Sequence, residues 1–475
     1  IEHATLVLRD VKTGLTWTAP NARGRLSRDK EGVSIAASAR LTGEAGHGVD
    51  VNLSGVYTRD RSRVSLVAAV EGFRPSVLAD LSPDVELLRG VDLAMSGRLY
   101  IEANGHGDVR GIEIDITGGN GQVTLPGILP VPHKVRGMNA RAVIDAASHK
   151  ATIERAEVEI GAARIAISGA GEKKPEGQVF TGRVEVRQIP GDKLGEYWPL
   201  PFAEGGREWA LANISKGEID IAADISLSAP GNDISETRVD RLVGLLGYRG
   251  LMVRYMTHMP EMQDVEGTAR YEGGTLHFDV VKGSAVGLRA SGTKIDLTGL
   301  DKPPPQQAAI RMTVAGSAPD VIRFLARPRL GLPKDMLYDY RRLGGDVSVE
   351  VALGFPLVNT LAVSELDLTA DATLSNFSLK DAIGQVSLTE AAAKVRYVGS
   401  ELAVSGNGKL DGTPAEIAWR EMFGPKPPFR RRYELKGNIP AALVAKAGFP
   451  PVEPFVVGPI GTSLQYQVAT NGTGE

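Results

Sequence analysis

Seven histidines, His3, His47, His106, His133, His149, His258 and His277, are the side chains in this sequence best suited to metal binding or to proton transfer near neutral pH. A helical zinc site needs two of them about one turn apart, and no two lie within five residues of each other. The absence of cysteine removes disulfides, thiolate nucleophiles and thiolate metal sites. There is no Gly-x-Ser-x-Gly elbow and no phosphate-binding P-loop. Gly105-His106-Gly107-Asp108-Val109-Arg110-Gly111 comes near a dinucleotide fingerprint but misses its spacing, and no helix pattern follows it. Aspartate and glutamate are plentiful, yet they alternate along strand-like runs as a wet face. A glycosidase pair would need two of them set in one cleft, and nothing singles out two. The residue types therefore point away from an enzyme: they assign no catalytic residue, no metal and no cofactor. A site assembled from distant strands is the one catalytic arrangement they leave open.

Three other groups of residues invite a chemical reading. Met252, Met256, Met259 and Met262 recur every three or four residues, as adaptable side chains against lipid or as core. Arg430-Arg431-Arg432, flanked by Phe429 and Tyr433, could meet lipid phosphates or form a solvated surface. Asn52-Leu53-Ser54 and Asn213-Ile214-Ser215 are among the matches to glycosylation acceptors.

The elements that carry these residues are strands. Hydrophobic side chains recur with period two. Ile112, Ile114 and Ile116 alternate with Glu113 and Asp115. Ile219, Ile221, Ile225 and Leu227 alternate with Asp220, Asp224 and Ser226. Leu276, Phe278 and Val280 alternate with His277 and Asp279, and Val347, Val349 and Val351 with Ser348 and Glu350. Val158, Ile160, Ile165, Ile167, Leu366 and Leu368 extend the pattern. Such alternation describes sheets with one buried and one wet face, whereas parallel sheets buried on both sides read as unbroken apolar runs. Glycine, 56 of 475 residues, is close to twice its usual share of about 7%. It marks turns at Asn104-Gly105, Gly118-Gly119-Asn120-Gly121, Glu272-Gly273-Gly274 and Gly406-Asn407-Gly408. The expected fold is all-β with few short helices: a long antiparallel meander.

A net charge of −3 offers no electrostatic reason for a nucleic-acid partner. The most apolar stretch, Leu242 to Tyr248, is cut short by Arg249, so no segment reaches the roughly 18 residues of a membrane span. The first residue is Ile1, which suggests a fragment of a longer protein.

One pattern repeats. A strand ends, a proline follows, then a short apolar helix, then a glycine opening a new strand. The prolines are Pro75, Pro190, Pro319 and Pro440, spaced by 115, 129 and 121 residues, and the glycines are Gly97, Gly217, Gly345 and Gly461. Proline suits a first helical turn, where its missing N–H costs nothing. The repeat divides the chain into a partial first module (1–96), a second (97–216), a third (217–344) and a fourth with the start of the next (345–475). Modules of about 120 residues in series suggest a solenoid-like protein, with a row of ordinary sandwiches as the alternative.

A sheet with one apolar face must cover it, and the helices are too few and short to do so. Curling into an elongated open groove remains. About 30 strands at ~4.8 Å would give a groove of roughly 140 Å. Each methylene moved into water costs about 0.8 kcal/mol, so a 16-carbon chain needs on the order of 12 kcal/mol to leave a bilayer. A lining of Val, Ile and Leu offsets most of that. The alternating residues named above are the expected acyl-chain lining, and a dry core of the same side chains is the competing reading.

At the second repeat the residues become specific. Tyr197-Trp198-Pro199-Leu200-Pro201, Arg207-Glu208-Trp209 and Asn213-Ile214-Ser215-Lys216-Gly217 resemble the hallmark of bacterial AsmA-like proteins of the YhdP-type branch. Gly250-Leu251-Met252-Val253-Arg254-Tyr255, Met259-Pro260 and Val265-Glu266-Gly267-Thr268-Ala269-Arg270-Tyr271 are similar to that branch too, with the likeness firmest over about 90–410. The resemblance implies a periplasmic β-groove anchored in the inner membrane by an N-terminal helix missing here. It implies phospholipids as cargo, outer-membrane components as partners, no cofactor and no catalytic residues. A cell-envelope scaffold without lipid cargo is the alternative function.

Overall fold

The computed structural model describes residues 1–9, 16–43, 48–60, 62–80, 83–200, 203–231, 236–332, 338–358, 361, 365–423, 427–451 and 458–469. Strand accounts for 68% of the chain and helix for 11%. The helices are therefore too few to form a second layer over the sheet. By compactness the chain divides into two units, 1–212 with 218–246, and 213–217 with 247–475.

The first unit holds β1 (Ala4–Arg9), β2 (Thr16–Arg28), β3 (Gly32–Gly43), β4 (Gly48–Thr58), β5 (Arg63–Phe73) and β6 (Val91–Asn104). It continues with β7 (Val109–Val123), β8 (His133–Asp145), β9 (Lys150–Ile160), β10 (Ala163–Lys174) and β11 (Gly177–Pro190). After β12 (Ile214–Ser215), which belongs to the second unit, comes β13 (Glu218–Pro230). Each strand from β1 to β11 pairs antiparallel with the next, and β11 pairs with β13. This is an open antiparallel meander.

β14 (Arg238–Val253) runs from the first unit into the second, where its last residues pair with β12. The second unit then holds β15 (Met262–Glu272), β16 (Thr275–Ala285), β17 (Leu288–Thr298), β18 (Gln307–Ser317), β19 (Leu343–Pro356) and β20 (Asp367–Ile383). It ends with β21 (Val386–Val398), β22 (Glu401–Leu410), β23 (Thr413–Met422), β24 (Arg431–Pro440) and β25 (Pro459–Val468). From β15 to β25 every strand again pairs antiparallel with its successor. Neither meander closes into a barrel, and the fold is an open all-β groove.

The described residues form 25 strands, fewer than the roughly 30 expected, because most strands are longer than the glycine spacing suggests. Two of the expected turns lie inside strands: Gly118–Gly121 in β7 and Gly406–Gly408 in β22. Their glycines serve cross-strand space. A Cβ on Gly118 would fall 2.4 Å from Met138 and 2.6 Å from Leu93, and one on Gly406 2.3 Å from the Ala392 carbonyl. Gly97 likewise stands mid-strand in β6 and does not open it.

Each of the four prolines of the repeat begins a helical insertion. Pro75 starts a 3-10 turn, Pro75–Asp80, and Pro190 precedes the 3-10 turn Gly191–Lys193 and α1 (Leu194–Tyr197). After α2 (Glu204–Asn213), Pro319 sits in the first turn of α3 (Ala318–Leu325), and Pro440 caps α4 (Ala441–Lys446). These insertions follow β5, β11, β18 and β24. By strand pairing, those of one unit lie along one long rim of that unit's sheet. The most buried side chains gather along the same rim. In the first unit Leu93, Val135, Ile160 and Ala163 form one row across the five strands β6–β10, passing through Gly121 of β7, with Ile189 and Ile219 continuing it. In the second, Val386, Leu410, Ala415 and Ile439 make a core covered by Leu443 and Val444 of α4.

Candidate functional site

Opposed residues of an antiparallel ladder share a face, so the registers show which side chains lie together. In the first unit one row runs Ile101, Ile112, Ile144, Ala151, Gly171, Phe180, Leu227. The next runs Leu99, Ile114, Ala142, Ile153, Gly169, Gly182, Ile225. A third contains Gly97, Ile116, Ala140, Ala156, Ile167, Val184 and Ala223, and a fourth Met138, Val158, Ile165, Val186 and Ile221. Ile160 and Ile219 belong to the buried rim row. Eleven residues expected from alternation alone thus share one face. Bulges between Arg141 and Ala142 and between Ile167 and Gly169 shift the register without moving these side chains off that face.

The second unit repeats the arrangement. Leu276 opposes Leu297, and Phe278 opposes Ala269 and Ile295. Val280 stands between Gly267 and Thr293. Val347, Val349 and Val351 oppose Gly316, Val314 and Met312 on one side and Leu374, Ala372 and Ala370 on the other. Leu368 opposes Leu353, while Leu366 stands just before β20.

Exposure separates these residues. Ile160, Ile219 and Val347 are buried at 4, 5 and 7% exposure. The other sixteen expected lining residues are half-buried, so this face is neither solvated nor sealed. The opposite face is charged. Arg141 pairs with Glu113 (3.2 Å) and Glu154 (2.9 Å) on neighbouring strands. Arg183 bonds Glu185 and Asp224, which holds the guanidinium above and the Glu185 carboxyl below their ordinary ranges. Such exposed pairs contribute little stability, but they keep this face in water.

Alternation did not anticipate a charged pair on the apolar face. The row through Val351, Ala370, Tyr397 and Leu402 continues into Glu421, Arg431 and Val468. Arg431 grips Glu421 with two nitrogens, its Nη2 donating to Oε1 at 3.0 Å, and Trp419 Nε1 donates to Oε2 at 3.2 Å. Glu421 is 2% exposed. The arginine run 430–432 is therefore not one basic patch: Arg431 turns inward, and Arg432 turns out to donate to Gln467 (2.9 Å) and to stack on Phe429. The parity of Ile417, Trp419 and Glu421 was the available signal. The methionines are divided among elements: Met252 is the penultimate residue of β14, Met262 opens β15, and Met256 is 38% exposed between them.

The motif at the second repeat is structural. Tyr197 stacks on His133 at 4.8 Å and accepts the Ala162 N–H at 2.8 Å, while His133 Nε2 lies 3.0 Å from the Glu196 carbonyl. Arg207 reaches the Gly195 carbonyl. Pro201 lies outside the described residues. Lys216 and Gly217 both adopt positive φ after β12, and a Cβ on Gly217 would fall 2.3 Å from the Arg249 carbonyl. Among the described residues no group of histidine, aspartate and glutamate is placed to hold a metal ion, and no helix is long and apolar enough to cross a membrane.

An open antiparallel meander with one half-buried aliphatic face, helical insertions along one rim and an ionic outer face is consistent with an AsmA-like groove protein. A family model described as YhdP protein matches residues 101–471, most of the chain, and the chain belongs to that family. The family is a non-enzymatic one of the cell envelope, related to lipid transport. No curated protein and no solved structure gives a significant match.

Proposed function

We propose that this chain is a periplasmic segment of a phospholipid conduit, holding acyl chains on its aliphatic face and supporting phospholipid movement between inner and outer membrane. The observation that carries this reading is the pair of open meanders whose alternating Val, Ile and Leu share one face and stay half-buried away from the helical rim. A self-sufficient core would bury them fully, as it does beneath α4. An aliphatic lining without directional polar groups suits chains of varied length. Family membership supports an envelope role.

Organic extraction and mass spectrometry of the purified protein should recover phospholipid. Glutamate at Ile114, Ile221 or Val349 should remove most of it while the circular dichroism spectrum and melting remain close to wild type, because these positions are only half-buried. The same substitution at the buried Ile160 or Val347 should unfold its region. Lipid-free wild-type protein, or unfolding by I114E and V349E, would favour a scaffold with a packed interior.

A further inference from the structure

The apolar face of the second unit is graded along β23–β25, whereas the same rows on β19–β22 stay largely aliphatic. At the helical rim of β21–β24 lie Val386, Leu410, Ala415 and Ile439 under α4. Moving along the strands, the next row is aliphatic: Ile417, Leu435 and Leu464 oppose one another. The row after it is aromatic: Trp419, Tyr433 and Tyr466 stand side by side, with Trp419 and Tyr433 stacked at 6.0 Å. The last row carries the Glu421–Arg431 pair, at 3% and 16% side-chain exposure. Aliphatic, then aromatic, then charged is the order met on leaving a bilayer, where Trp and Tyr mark the head-group level. The strand path is long enough for a chain. Ile439 to Tyr433 spans six residues, or about 20 Å at strand rise, against about 15 Å of hydrocarbon in one leaflet.

A buried ion pair is weak as a stabilising device, since apolar replacements of similar volume are often as stable or more so. Ionisable groups set in an apolar lipid environment mark function by default. We propose that Glu421 and Arg431, with Trp419 and Tyr433, form the head-group seat of the groove. It takes a zwitterionic phosphodiester–ammonium head, phosphate toward Arg431 and ammonium toward Glu421, with the acyl chains directed to the helical rim. Guanidinium matches phosphate oxygens, carboxylate matches ammonium, and an electron-rich aromatic pair suits an amine cation. Because the protein pair carries no net charge, the seat favours a net-neutral head over an anionic one. This assignment rests on the lipid-groove reading above and adds head-group class and orientation to it.

The test uses the full chain incubated with vesicles of phosphatidylethanolamine or of phosphatidylglycerol, re-isolated and extracted for bound lipid. Wild type should retain phosphatidylethanolamine severalfold over phosphatidylglycerol. E421Q, which removes the carboxylate charge facing Arg431, should reverse that preference. The doubly apolar E421L/R431M variant, checked for folding by circular dichroism, should abolish it. A phosphatidylethanolamine with a photoreactive group at its chain ends should label the segment 439–447, and one labelled on the head should mark 419–433. Equal retention of both lipids by wild type, or an unchanged preference in E421L/R431M, overturns the head-group seat alone. Retention of neither lipid by wild type overturns the groove reading and this assignment together.

Discussion

Two hydroxyls on the groove face, Tyr248 Oη and Thr293 Oγ1, are buried without a hydrogen-bond partner among the described residues. Leaving such a group unsatisfied costs about 1–3 kcal/mol. Y248F and T293V should therefore each raise stability, by about 1 kcal/mol, read as a shift in the denaturant midpoint at unchanged slope. Tyr248 fits because Gly267 opposite it has no side chain: a Cβ there would lie 2.7 Å from the hydroxyl. Burial, with the charge of Asp279 adding, pushes the Tyr248 phenol up to about 12. An unfolded tyrosine ionises near 10, so between about 10 and 12 the unfolded chain binds fewer protons and stability falls as pH rises. Y248F should flatten that alkaline loss; an equally steep decline in the variant would show that other groups cause it. None of this was legible beforehand, because Tyr248 closes the apolar run from Leu242 and reads there as one more hydrophobe.

Among elements, the helical insertions decide where the sheet is sealed, and α4 shows how one is held. Lys446 in its last turn pairs with Asp411 at the β22–β23 turn, and the Ser387 N–H donates to the same carboxylate at 2.9 Å. The lysine first, then that N–H, hold the Asp411 carboxyl below its ordinary value. A depressed carboxyl stabilises above its unfolded value near 4 and loses that contribution as pH falls through the folded one. D411N should thus speed amide exchange in Ala441–Lys446 severalfold at pH 7, and the difference from wild type should vanish in acid below the folded value. Equal exchange at pH 7 would mean that Leu443 and Val444 dock the helix unaided. The strand faces and the four proline-led insertions were readable in the sequence, since alternation and proline position are local signals. Strand ends were not. Gly118 and Gly406 read as turns, because a glycine needed for cross-strand room looks the same in sequence as one needed for a reversal.

At the scale of the whole chain, the connectivity is nearly one-dimensional. Almost every strand pairs only with its chain neighbours, and the two compact units each hold their own rim core. In such a protein stability is roughly a sum of local terms and nearest-neighbour interfaces. A cavity should therefore weaken its surroundings and leave distant strands intact. Leu93, 1% exposed in β6, heads the buried row of the first unit. L93A should cost about 2–5 kcal/mol there, seen as lost hydrogen-exchange protection in β6–β9. Protection in β20–β24, around Val386 and Leu410, should stay at the wild-type level. Uniform loss across both units would show a single cooperative fold.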